Sequence, residues 1–131
     1  MNRIRMLSVI MVFLLLMSVS FSFADEIAPR ADLVFQNANA TLCSGKYIVF
    51  SALTYDEADS ISVTSVRLEQ KVNGSWSYVT NLACPSSQSS CIRYNQTKYY
   101  TSEISTGTYR VVVTFCADGH SITRTSNERT Y

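Results

Sequence analysis

The sequence predicts an all-β fold, a small antiparallel β-sandwich of immunoglobulin-like type with about seven strands. Three observations carry that expectation. Val, Ile, Thr, Tyr and Ser dominate the chain beyond residue 24, in short stretches between turn residues; branched and aromatic side chains suit a pleated, half-buried surface. Apolar and polar residues alternate in several of those stretches, which turns one face of each strand inward. No window beyond residue 24 shows a helical period or a run of Ala, Leu, Glu and Lys.

The N-terminus reads as an address rather than a strand. Arg3 and Arg5 form a basic start, residues 6–19 are almost unbroken in apolar character, and Ser22 and Ala24 have the spacing a signal peptidase accepts. A signal peptide over 1–24, cleaved after Ala24, is expected. It leaves a single domain over 25–131, secreted and extracellular, with no membrane attachment once processed. The apolar run falls short of the about 20 residues of a membrane anchor, and no second run of that length follows.

Residues 31–37, around Leu33 and Phe35, form the first expected strand. Residues 39–55 form a long second one, in which Gly45 marks a bulge or bend. There Lys46, Ile48, Phe50 and Ala52 alternate with Tyr47, Val49, Ser51 and Leu53. The polar run 55–60 reads as a loop. Residues 61–72 alternate again, with Val66, Leu68 and Val72 opposite Arg67, Glu69 and Lys71. Asn73-Gly74 then supplies a hairpin turn, because a type I′ turn needs positive φ at both central positions and this pair meets that at least cost. The chain returns over 75–82, where Trp76 is expected in the core.

A Ser-rich loop leads to a Tyr-rich strand over 92–104. Residues 107–117 form the most apolar strand, with Tyr109, Val111, Val113 and Phe115 on one face. Asp118-Gly119 is a second hairpin signal, and 121–130 returns as a polar edge strand. Thr106-Gly107-Thr108-Tyr109 is similar to the tyrosine corner of immunoglobulin-like sandwiches. No Cys stands two residues after Tyr109, so the antibody-type disulfide is not expected.

The four cysteines are Cys43, Cys84, Cys91 and Cys116. An even count in an exported chain reads as disulfides, and three pairings are possible. Cys84 with Cys91 is favoured, because the Pro-Ser-Ser-Gln-Ser-Ser between them is short and turn-rich. Cys43 with Cys116 is then the remainder, a long loop whose closure is worth about 4 kcal/mol by chain entropy. The gap between Cys84 and Cys91 is too long for a zinc knuckle.

Charge and composition exclude several functions. With Arg3 and Arg5 removed, the 11 basic residues fall below the 10 acidic ones, so no basic stripe marks a nucleic-acid partner. His120 is the single His, which excludes a multi-His metal site and weakens any His-based catalytic triad. There is no Gly-x-Ser-x-Gly elbow, no Ser-x-x-Lys and no glycine-rich phosphate loop. Asp56, Glu57 and Asp59 lack the spacing of a calcium loop and read as a solvated acidic stretch. The chain is therefore expected to be no enzyme and to need no cofactor. The positive lead is Tyr94, Tyr99 and Tyr100, flanked by Arg93 and Lys98. Tyrosine is amphipathic and rigid, which suits a binding surface. The function expected is a non-catalytic module that binds a glycan or a protein. The alternative is a structural, envelope-associated protein that assembles through edge strands.

The export signal together with Ala40-Thr41-Leu42-Cys43-Ser44, Val66-Arg67-Leu68-Glu69-Gln70, Asn73-Gly74-Ser75-Trp76 and Gly107-Thr108-Tyr109-Arg110-Val111 resembles a group of small exported proteins of Gram-positive bacteria. The resemblance covers most of the chain beyond the signal. That group has no assigned activity, so the resemblance implies compartment and fold and carries over no catalytic residue.

Overall fold

The structure, a computed structural model, describes residues 33–131. The expected signal peptide and its cleavage point lie outside the described residues. Seven strands follow in order: β1 (Phe35–Cys43), β2 (Tyr47–Val72), β3 (Ser75–Leu82), β4 (Gln88–Tyr99), β5 (Thr108–Ala117), β6 (His120–Thr125) and β7 (Arg129–Thr130). Every pairing is antiparallel. The all-β expectation and the strand number hold. The strands belong to one curled sheet, because β2 is 26 residues long and serves as a central strand twice. Its first part lies between β1 and β4, with Ala52 opposite both Ala38 and Tyr94. Its second part lies between β3 and β5, with Leu68 opposite both Thr80 and Val111.

Two register breaks bend β2, between Leu53 and Ala58 against β4 and between Val63 and Ser65 against β5. Extra residues at such breaks re-aim the side chains that follow. Ile48, Phe50 and Ala52 are buried before the first break, Thr54 within it, Ile61 and Val63 before the second, and Val66 and Leu68 after it. The same face thus stays inside around the bend. The run 55–60, expected as a loop, is this bend and remains within the strand, with Tyr55, Asp56 and Glu57 exposed. Polarity marks it as solvent-facing, and here that means a convex corner. The buried Thr54 hydroxyl lies 2.7 Å from the Asp56 carbonyl and 3.2 Å from that of Ile92, tying the corner to β4.

Gly45 is part of a turn rather than a bulge. The chain reverses through Ser44, Gly45 and Lys46, where the Lys46 N–H donates to the Cys43 carbonyl at 3.1 Å and Lys46 takes a φ of 56°. Both expected hairpin turns form, with φ of 52° and 79° at Asn73-Gly74 and 48° and 80° at Asp118-Gly119. Tyr109, Val111, Val113 and Phe115 line the core as expected. The Tyr109 hydroxyl does reach four residues upstream, but it meets the Ser105 hydroxyl at 2.9 Å and not the backbone.

The curl brings β1 against the segment after β6. There the Asn127 carboxamide accepts the Leu42 N–H at 2.8 Å and donates to the Leu42 carbonyl at 3.0 Å. It imitates the peptide group of a neighbouring strand. Arg129 Nε donates to the same carbonyl at 3.1 Å, and the Tyr131 hydroxyl donates to the Cys43 carbonyl. Tyr131 also exchanges both backbone hydrogen bonds with Gly107, at 2.8 and 2.9 Å.

The expected disulfides are not formed, and all four thiols are free. The Cys43 carbonyl meets the hydroxyl of Tyr131, whose backbone pairs with Gly107 just before β5, whereas Cys116 is the penultimate residue of that 10-residue strand. At roughly 3.3 Å per strand residue, that separation is several times the about 7 Å between Cα atoms that a disulfide tolerates. Cys84 is exposed in the 83–87 segment. Cys91 packs against the core, with its thiol directed at the Gln88 carbonyl at 3.7 Å.

Candidate binding face

The five residues singled out on the Tyr-rich strand do not share one surface. Tyr94 and Tyr100 are core residues, 0% and 1% exposed. Their hydroxyls donate to the carbonyls of Ser86, at 2.7 Å, and of Ala83. They fasten the 83–87 segment and are closed to a ligand. Burial, with the nearby Cys84 thiol adding to it, pushes the Tyr94 hydroxyl up to about 12 and that of Tyr100 higher still. Cys84 is exposed as a residue, but partial burial of its thiol beside Tyr94 and Tyr100 pushes the thiol up and leaves less of it as the reactive thiolate. Tyr99 is exposed, with its ring 5.1 Å from that of Tyr47. Arg93 is exposed and lines a shallow hollow of about 210 Å³ with Asn37, Ser51 and Asn95. Lys98 is half-buried.

A denser constellation lies on the outer face of β3, β2 and β5. The two-residue turn at Asn73-Gly74 sets Lys71 opposite Trp76 and Glu69 opposite Tyr78. On the other side of β2, Glu69 is opposite Arg110. Trp76 is therefore not in the core but half-buried on the polar face. The Arg110 guanidinium lies over its ring at 4.3 Å and the Lys71 ammonium at 5.6 Å, while the Arg67 guanidinium lies over Tyr78 at 4.8 Å. Glu69 is at the centre. Its carboxylate accepts from Arg110 Nε at 2.8 Å and pairs with Arg67 Nε at 3.4 Å. The two guanidiniums and the aromatic rings cover Glu69 to 9% exposure.

The face could have been found in the sequence. Arg67, Glu69 and Lys71 alternate on one side of their strand, and counting outward from a two-residue turn places Trp76 and Tyr78 beside them. Arg110 carries no such local signal, because the pairing of β2 with β5 is set by the whole fold.

The acidic stretch at the corner is engaged differently. Asp118 reaches back to accept the Asp59 N–H at 3.0 Å and the Ser60 N–H at 3.4 Å, holding the β5–β6 turn against β2. Among the described residues no group of three or more His, Cys, Asp or Glu is placed to hold a metal ion. None of the described buried side-chain polar atoms lacks a hydrogen-bond partner. Comparison with family models, curated proteins and solved structures found no match to the chain.

Proposed function

We propose that the chain is an exported, non-catalytic binding module that holds a glycan or protein ligand on the outer face of β3, β2 and β5. The observation that carries the reading is the nearly buried Glu69 carboxylate, gripped by two guanidiniums that are themselves stacked on Trp76 and Tyr78. Apolar residues commonly replace such an ion cluster without loss of stability. Charged groups held in fixed directions on an outer face serve recognition, where a locked geometry lowers the cost of binding. Export rests on the basic start, apolar run and Ser22-x-Ala24 of the sequence.

The test is a screen of the exported chain against glycans and against proteins of the same medium. Any ligand found is then titrated against Trp76→Ala, Tyr78→Ala and Tyr99→Ala, each checked for folding. Tyr99→Ala should bind as the parent does and the other two should not. Unchanged binding by folded Trp76→Ala and Tyr78→Ala removes this face. Assembly through edges is the second reading, and β3 favours it: among the described residues β3 pairs only with β2, and it exposes Tyr78 and Val79. Size-exclusion chromatography over a concentration series would detect it.

A further inference from the structure

The ligand of this face can be narrowed by how the two arginines are held, an inference that rests on the binding reading above. Glu69 engages each guanidinium through Nε, at 2.8 Å for Arg110 and 3.4 Å for Arg67. The terminal amino groups of both arginines make no hydrogen bond among the described residues. An aromatic ring lies against each guanidinium plane as well, Trp76 for Arg110 and Tyr78 for Arg67. A carboxylate on one edge and a ring on one side leave each terminal edge pointing in a fixed direction. That edge is a planar fork of donors, matched to an oxyanion.

The neighbourhood adds to the match. Lys71 supplies a third cation, paired at 3.5 Å with the exposed Glu128. Arg67, Lys71 and Arg110 together outnumber Glu69 and Glu128, so the patch is cationic on a chain close to neutral overall. Tyr78 is 53% exposed. Its ring offers an apolar surface beside the forks.

We propose that this face binds an acidic glycan, with carboxylate or sulfate groups on the terminal edges of Arg67 and Arg110 and a sugar ring against Tyr78. An extended acidic peptide fits less well. It would add to the open edge of β3, and Arg110 belongs to the second strand in from that edge.

The chain has a single Trp, and it lies in the site, so its fluorescence reports occupancy directly. The exported full chain is titrated with polygalacturonate oligomers, dextran sulfate, neutral dextran and poly-glutamate. The expected result is a saturable change with one or both acidic glycans and none with neutral dextran. The response should weaken as salt screens the charges. Arg67→Gln should weaken binding at least about tenfold, and Arg110→Lys should do so too, since lysine keeps the charge but not the fork. Arg67→Gln leaves the Arg110–Glu69 bond in place, so it stays informative if changes at Arg110 fail to fold. Polygalacturonate against dextran sulfate tells carboxylate from sulfate. Equal binding of neutral dextran, lost in Tyr78→Ala but untouched by Arg67→Gln, overturns the acid requirement and keeps the face. Binding of poly-glutamate alone overturns the glycan in favour of a peptide. Silence toward all four polymers overturns this inference. The face itself falls only if a ligand from the broader screen binds Trp76→Ala and Tyr78→Ala unchanged.

Discussion

Tyr94 and Tyr100 reach from the core with hydroxyls that hold two carbonyls of the 83–87 segment. Replacing either with Phe keeps the ring and strands a carbonyl, at about 1–2 kcal/mol each by urea denaturation. Both hydroxyls ionise above the ordinary tyrosine value, because burial disfavours the phenolate. A folded-state pKa above the unfolded one gives stability that is complete below about pH 10 and is lost as pH rises through the folded values. The urea midpoint should therefore hold steady from about pH 8 and fall above about pH 10. A midpoint unchanged at high pH would mean that these hydroxyls reach water. Trp76 belongs to the same scale. Half-buried and stacked under Arg110, it should cost about 1–2 kcal/mol on change to Ala, below the about 3–5 of a fully buried Trp. Asn127→Ala removes both side-chain bonds to Leu42 and should cost about 1–3 kcal/mol, with faster amide exchange at Leu42 as its local signature.

At the scale of elements, the turns decide how much was legible. Asn73-Gly74 and Asp118-Gly119 announce themselves, because the positive φ they adopt is rare for other pairs. The alternation of β5 is equally plain, since every second residue faces the core. The Ser44-Gly45-Lys46 turn was hidden by flanking sequence that alternates on both sides, so two strands read as one. The 55–60 corner was hidden by its polarity, which a loop shares. In the site, the β2–β3 half was readable by counting from the turn, and the β5 half was not. Glycines at two turns separate the causes of turn stability. A Cβ on Gly74 meets nothing within 4 Å, so Gly74→Ala suffers only the backbone strain of its φ of +79°, about 1–2 kcal/mol. Gly107 takes a φ of +142°, outside the left-handed helical region that Gly74 occupies and open essentially to glycine alone, and a Cβ there would also stand 3.3 Å from the Tyr109 ring. Gly107→Ala should therefore be the more destabilising of the two in matched thermal melts, and the reverse order would show that the backbone entering β5 relaxes freely.

For the whole molecule, the position of Cys43 relative to Cys116 makes a sharp prediction. Peptide mapping of exported material under non-reducing conditions should recover no Cys43–Cys116 link; finding one would require a different path for β1 or β5. N-terminal sequencing of the same material should begin at Asp25, and a product that retains residues 6–21 would replace export by anchoring.

The double duty of β2 also shapes how the chain can fold and come apart. Its two ends are reached by local events, the β1–β2 hairpin at one end and the β2–β3 hairpin at the other. β4 and β5 arrive from far along the chain, and each needs the same strand already extended. Closing those long loops is the slow part of assembly. Neither half keeps a central strand of its own if β2 lets go, so the molecule has no seam along which one half could melt while the other persists. Loss of far-UV dichroism and loss of the Trp76 environment are thus bound to a single cooperative event.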